Sequence, residues 1–365
     1  MKAAVSDRSI APDRRVIVIS DIHGQLDYLT ALLDKVGYGG SDLLVIDGDF
    51  VEKGARSLDT LHYVMRLVSE RGAWVVCGNC DDWGRALRSA PTRPDGGAGL
   101  VRYLLKKPNA LLNQMCAGVG ITAAAVPTAE LASVLLDGYA EEFAFLDSLP
   151  TVIETEKYIF VHGGITDKPR TEWDDYGCKK FDYFLRTDYA FDKWVIVGHQ
   201  PVMLYRESVV DANPIIDHAR KIASIDGGCA LKDDGQLNAL IIPAGGGEFE
   251  CAAYDKFPRA KTLSAQRGGG ASFYIRWGDA AVRVLRRGEE FSLVRHARTG
   301  YEMEVLTKYL RREGGRTTVN DCTDYVLPLE RGDIVSVVER TSRGYFVKHG
   351  GVSGWYFGEI EEMGK

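Results

Sequence analysis

Short apolar runs that stop abruptly at a polar residue beside a glycine recur through residues 15–201. The first, Arg15 to Ile19, reads RVIVI, a β-branched stretch suited to a buried central strand. Residues 25–36 then place Leu26, Leu29, Leu32, Leu33 and Val36 on one stripe, the pattern of an amphipathic helix. Between them lies Ser20-Asp21-Ile22-His23-Gly24, where Gly24 permits a tight strand-to-helix turn. A second run, 43–46, leads into Asp47-Gly48-Asp49-Phe50-Val51-Glu52-Lys53-Gly54, and a third, 73–77, into Gly78-Asn79-Cys80-Asp81. Runs at 158–161 and 194–197 lead into His162-Gly163-Gly164 and Gly198-His199-Gln200-Pro201. Strand ends of an open α/β sheet converge where such sheets bind ligands, so these residues are expected to meet in one cluster.

Elsewhere the pattern changes. Residues 1–14 read as a polar lead-in, and residues 84–149 as a helical insertion covering the sheet or rimming its cleft. Arg102, Lys106 and Lys107 in that insertion read as a solvated face or a substrate contact. A helix is expected over 179–189, and strands over 222–225 and 237–242, with 249–254 pairing after them. Residues 256–272 are basic and Gly-rich and read as a linker. Beyond it, short alternating segments with Gly-containing turns predict all-β structure. There Leu285 to Val294 realigns without a gap on Leu329 to Val338, an internal repeat too short to be a large domain.

A chain of 365 residues is expected to hold two or three domains. Its net charge of −6 provides no basic footprint, so no nucleic-acid partner is expected. Seven scattered cysteines argue against a disulfide framework and fit a reducing cytosol. Cys77 and Cys80 do form a CxxC, which leaves a redox pair or half a zinc site open. With no signal-peptide pattern and no apolar span, a cytoplasmic location without membrane contact is expected.

The ordered set DxHG, GDxVxxG, GNxD, HGG and GHxP resembles the calcineurin-like metallophosphoesterases over roughly residues 15–255, in particular their bacterial phosphoprotein-phosphatase branch. The segment IDGGCALKDDGQLNALII is similar to the closing β-hairpin of that branch. The resemblance implies an α/β fold, a four-layer α/β/β/α sandwich, and two divalent metal ions. Mn²⁺ stands first among them, with Fe, Zn, Ni and Mg open. Asp21 and His23 would hold the first ion, Asp49 would bridge, and Asn79, His162 and His199 would complete the second. Carboxylate, amide and imidazole donors suit such ions, and an ion pair can clamp both the attacking and the leaving oxygen. The implied reaction is attack on phosphorus in line by a metal-bridging hydroxide, with serine/threonine phosphatase-like action on a phosphorylated protein or small molecule. Two positions depart from the family. Lys53 stands where an arginine usually grips phosphate, and Cys80, beside Asp81, stands where a histidine usually protonates the leaving oxygen. Arg186 is the candidate for a further phosphate contact. The GNCD sequence opens the alternative of a phosphodiesterase or nucleotide-polyphosphate hydrolase. A scaffold protein with weak activity is the third reading.

The tail, with LERGDIVSVVE and GWYFG, resembles an SH3-like barrel. Two repeats, 273–315 and 316–365, are expected after the linker. Tyr345, Trp355 and Tyr356 are expected either to fill small barrel cores or to line a groove for a Pro-rich peptide partner.

Overall fold

Alternate residues of the apolar runs face two different cores, because side-chain direction in a strand has a period of two. In the computed structural model, which describes residues 1–364, the chain divides into two compact units. The first comprises Met1–Pro201, Pro214–Leu231 and Gln236–Tyr254. It opens with β1 (Val5–Asp7), β2 (Val16–Ile19), α1 (Leu26–Lys35), β3 (Leu43–Asp47), α2 (Ser57–Arg71) and β4 (Trp74–Val76). Helices α3 (Trp83–Ser89), α4 (Ala98–Lys106), α5 (Leu111–Gly118), α6 (Thr128–Gly138) and α7 (Ala140–Ser148) follow. Then come β5 (Val152–Glu154), β6 (Tyr158–Val161), the short α8 (Asp175–Lys179) and β7 (Trp194–Val197). β8 (Val210–Asp211) belongs to the second unit; β9 (Ile215–Asp217), β10 (Ile222–Ser224), β11 (Leu237–Ile242) and β12 (Glu250–Tyr254) complete the first.

These strands form two sheets, ordered β12-β11-β2-β3-β4 and β1-β5-β6-β7-β10-β9. Val16, Val18, Leu43 and Val45 of the first sheet share one apolar cluster with Ile153, Phe160, Ile196 and Ala223 of the second. Their neighbours Ile17, Ile19, Leu44 and Ile46 face α1, α2 and the inserted helices instead. Val161, Val195 and Val197 pack with Trp173, Cys178 and Phe184 on the other sheet's far side. β2, β3 and β4 run parallel, with Ile19 beside Ile46 and Ile46 beside Val75. The Asp21, Asp49 and Asn79 turns therefore leave the same end of adjacent strands. β6 and β7 are also parallel, which does the same for His162 and His199.

Three local expectations fail. The lead-in 1–14 contains β1, which pairs with β5 and sets Ala3 and Val5 against the Trp173 cluster. Three residues are too few to display a period. The strands at 222–224 and 237–242 do not form a hairpin: β10 pairs with β7 and β9, β11 with β2 and β12. Each is buried throughout, and each contributes to the cluster between the sheets, so the chain crosses from one sheet to the other. The helix expected over 179–189 ends at Lys179, and residues 184–186 form only a 3₁₀ turn.

The second unit contains Val202–Asn213, Lys232–Gly235 and the chain from Asp255 onward. Its strands are β13 (Arg259–Thr262), β14 (Tyr274–Ile275), β15 (Val282–Arg286), β16 (Phe291–His296), β17 (Glu302–Leu306) and β18 (Leu310–Glu313). β19 (Arg316–Val319), β20 (Cys322–Thr323), β21 (Ile334–Thr341), β22 (Gly344–His349), β23 (Val352–Tyr356) and β24 (Ile360–Glu362) follow. The stretch 256–272 is not a free linker, because β13 pairs with both β21 and β24. Ala260 and Thr262 are buried while Arg259 and Lys261 face outward, so basic residues mask a genuine alternation. The repeat coincides with two antiparallel hairpins, β16–β17 and β21–β22. One apolar cluster gathers Ile275, Val282, Val294, Met303, Val305 and Val319; another gathers Ala260, Leu327, Val335, Val337, Val347 and Tyr356. Tyr356 is fully buried and donates its hydroxyl to Ser264 O at 2.8 Å, so it fills a core and lines no groove. Among the described residues, no helix is long and apolar enough to cross a membrane.

Candidate metal centre

Five strand-end turns converge, and four of the expected ligands bend the backbone into the left-handed region to do so. Asp21, His23, Asp49 and His199 have φ of 55°, 48°, 50° and 65°, as do Glu52 and Lys53 at 73° and 66°. Such geometry is uncommon outside glycine and persists only where surrounding structure holds it, most often at functional sites. The glycines between them are there for space. A Cβ on Gly78 would sit 2.2 Å from Asp49 Oδ1, and one on Gly48 would sit 2.7 Å from the His162 ring.

Asp49 divides its carboxylate between two histidines. Oδ1 lies 3.3 Å from His162 Nε2 and Oδ2 lies 3.8 Å from His23 Nε2. Asp21 Oδ1 is 3.7 Å from His23 Nε2 and 4.0 Å from His162 Nε2. Both imidazoles are held from behind by carbonyls, since His162 Nδ1 lies 2.8 Å from Asp47 O and His23 Nδ1 3.3 Å from Val51 O. A carbonyl only accepts, so Nδ1 of each ring carries a proton and Nε2 is the nitrogen turned to the carboxylates. His199 joins through its backbone N–H, which donates to Asp21 Oδ2 at 2.9 Å, and through ring contact with His162 at 5.4 Å. Its Nε2 lies 2.7 Å from Asp182 Oδ1, an outward-facing partner that no motif announces.

The donor set fits divalent cations. Asp21 Oδ1, Asn79 Oδ1 and His162 Nε2 are buried without a hydrogen-bond partner, an expensive arrangement for protein atoms alone. Two groups of potential ligand atoms share Asp49: Asp21, Asp49 and His162, and His23, Asp49 and Cys80. Burial pulls His23 down to about 4, which leaves it neutral and able to ligate at neutral pH. Burial pushes the Asp49 carboxyl up, but His162, His23 and Cys80 together outweigh it and hold Asp49 well below the usual range. Burial, then Asp226, raises Asp21 well above it.

The other expected site residues are placed differently. Cys80 is half-buried at the cluster; its N–H donates to Asp49 Oδ1 at 2.7 Å, and burial followed by the Asp49 charge pushes its thiol up. Asn79 Nδ2 and Lys53 Nζ approach Cys80 Sγ at 3.2 and 3.8 Å. Asp81 does not face the cluster. Its Oδ2 accepts from the N–H groups of Asp49 at 2.8 Å and Gly78 at 2.9 Å, so it shapes the loops. Arg186 is exposed and stacks on Tyr183, 4.4 Å from the ring centroid. Of the CxxC pair, Cys77 is buried, and both thiols are free. The sequence also hid Glu52, whose buried carboxylate accepts from Leu111 N at 3.0 Å and Tyr103 Oη at 3.1 Å. With Asn109 donating to Lys53 O and Gln114 to Gly54 O, α4 and α5 are clamped to the Asp49 loop. Only the tertiary structure brings those donors to residues 52–54.

A profile of the calcineurin-like phosphoesterases matches residues 14–221. The chain belongs to that family. Family relatives include the symmetrical bis(5'-nucleosyl)-tetraphosphatase of Neisseria meningitidis, 39% identical over 95 residues, or 25% of this chain and 32% of that enzyme. The asymmetrical bis(5'-nucleosyl)-tetraphosphatase PrpE of Halalkalibacterium halodurans is 27% identical over 258 residues, 62% of this chain and 89% of that one. The match to the Neisseria enzyme thus spans about a third of that enzyme's length. A solved structure described as a putative diadenosine tetraphosphatase superposes with a TM-score of 0.45 at 20% identity, covering 70% of this chain and 99% of that one.

Proposed function

We propose that this phosphoesterase is a dimetal-dependent hydrolase that cuts a phosphoanhydride of a nucleoside polyphosphate. The observation that carries the metal reading is the division of Asp49 between His162 and His23, beside three buried donor atoms without partners. Asp21, His23 and Asp49 would hold one ion, and Asn79, His162 and His199 would join Asp49 at the other, with Mn²⁺ the first ion to test. Two bound cations supply Lewis acidity to water and to the phosphoryl oxygens. The chain's own part is orientation. Val51 O and Asp47 O set the two imidazoles, Asp182 sets His199, and Lys53 offers positive charge at the rim without the two-pronged grip of arginine.

Cys80 favours the anhydride. A thiol is a weak donor and protonates a departing oxygen poorly. A serine alkoxide needs that proton, whereas a departing phosphate, with a second pKa of about 6, leaves without it. The tetraphosphatase names of the relatives point the same way. A second reading, serine/threonine phosphatase-like action, rests on the GHQP and IDGG motifs. The two sheets, with apolar clusters between them and on their outer faces, favour a four-layer catalytic body; the two tail clusters favour two small SH3-like units.

The test is kcat/KM for diadenosine tetraphosphate, a phosphoserine peptide and a nitrophenyl diester, with Mn²⁺ and after chelation. The tetraphosphate is expected to be cleaved best, and chelation to abolish turnover. Preference for phosphoserine would overturn the substrate; indifference to chelation would overturn the metal centre.

A further inference from the structure

We propose that Cys80 is itself a metal ligand, so that the position formed by His23, Asp49 and Cys80 prefers a thiophilic divalent cation such as Zn²⁺ or Co²⁺ over Mn²⁺ or Mg²⁺. This rests on the metal-centre reading above and gives one of its two positions a chemical identity. The sulfur replaces a histidine expected from the family to act on the leaving group, yet its surroundings are those of a ligand. One atom each from His23, Asp49 and Cys80 lie within 4.8 Å of one another. Atoms sharing an ion at about 2.0–2.3 Å are at most about 4.6 Å apart, so small side-chain adjustments bring all three into one coordination sphere.

The polar groups around the sulfur also treat it as an acceptor. Asn79 Nδ2 at 3.2 Å and Lys53 Nζ at 3.8 Å both present N–H bonds to Sγ. Asn79 Oδ1 is left buried without a partner as its amide nitrogen turns to the sulfur. The Cys80 N–H donates to Asp49 Oδ1, which ties the sulfur's backbone to the carboxylate it would share an ion with. On ligation the S–H bond breaks, its electron pair goes to the cation and its proton goes to solvent. A coordinated thiol is deprotonated outright, and Lys53 balances the added negative charge. Softness then sets the preference: thiolate with imidazole favours zinc-like ions, whereas carboxylate and amide donors suit Mn²⁺ and Mg²⁺.

The experiment is Co²⁺ titration of chelator-treated full-length protein, followed by near-ultraviolet absorbance for a thiolate-to-cobalt charge-transfer band and by elemental analysis for bound metal. The variants are Cys80→Ser, Cys251→Ser for the exposed thiol, and Asp49→Asn, each checked by circular dichroism. The expected result is a band in the wild type and in Cys251→Ser that is lost in Cys80→Ser. The Zn²⁺-over-Mn²⁺ preference should fall in Cys80→Ser by at least the ~10–100-fold that loss of an outer partner costs. If Cys80→Ser binds Co²⁺ with an unchanged spectrum and an unchanged Zn²⁺/Mn²⁺ ratio, Cys80 is no ligand, while the metal centre stands. If the wild type binds no more metal than Asp49→Asn, the metal-centre reading fails and takes this proposal with it. Should Cys80→Ser lose its native circular dichroism, Cys80→Ala is titrated against the same two outcomes.

Discussion

Asp49 Oδ1 lies 3.3 Å from His162 Nε2, although the two residues are far apart in sequence and follow strands of different sheets, β3 and β6. That contact joins the two halves of the candidate centre, because the other oxygen of the same carboxylate faces His23.

Replacing Asp49 with Asn therefore removes a charge from both positions at once. Elemental analysis of Asp49→Asn should show loss of bound metal, and kcat/KM should fall by more than the ~10–100-fold typical of an outer partner. Full metal content with normal turnover would contradict the assignment.

Cys80→His restores the residue type that the family uses on the leaving oxygen. General acid catalysis is typically worth ~10²–10⁴-fold. The ratio of kcat/KM on a phosphoserine peptide to that on diadenosine tetraphosphate should rise in this variant. An unchanged ratio means that another group delivers the proton. Asp81 is not expected to assist the new imidazole, since its carboxylate is committed to backbone N–H groups.

Asp47 is fully buried, both carboxylate oxygens lack a hydrogen-bond partner, and burial pushes it up to about 7. Between its ordinary range and about 7 the unfolded chain gives up this proton while the folded chain keeps it. Its contribution to stability is therefore intact at low pH and lost as pH rises towards 7. In metal-free protein, Asp47→Asn should melt above the wild type at pH 8, by an amount worth up to about 4 kcal/mol. The gap should close as pH falls towards 4. Parallel Tm curves for the two proteins would show that Asp47 does not titrate this way.

Glu52 is the clamp between the Asp49 loop and the inserted helices. Glu52→Ala leaves Leu111 N–H and the Tyr103 hydroxyl without their acceptor, at about 1–3 kcal/mol for each donor that stays buried. A lower denaturant midpoint and a raised KM are expected. A stability change within about 0.5 kcal/mol, the range of a plain surface substitution, would show the clamp to be idle.

A chain cut after Tyr254 keeps β8 but removes β23, the strand with which β8 pairs. It also strands residues 202–213 and 232–235 without the rest of their compact unit. Such a truncation should aggregate or melt early in thermal scans. A monodisperse product with the wild-type Tm would show those segments to be self-sufficient.

The local chemistry was legible in the order of residues along the chain. Apolar runs read as buried strands, the glycines near their polar ends as turns, and converging strand ends as one cluster of Asp21, His23, Asp49, Asn79, His162 and His199. Those inferences needed only period and covalent geometry. Packing selects which atoms of these residues meet, and what stands behind them. The Asp182–His199 contact, the Glu52 clamp and the placement of Asp81 under the Asp49 loop all join positions whose spacing carries no signal. The same holds for 256–272: a strand showing Arg259 and Lys261 outward reads as a basic linker until β21 and β24 pair with it. β10 and β11 read as a hairpin until burial on both faces of each sends them to separate sheets. Local pattern reports which face of an element is apolar. Only packing in three dimensions selects the partner that covers it.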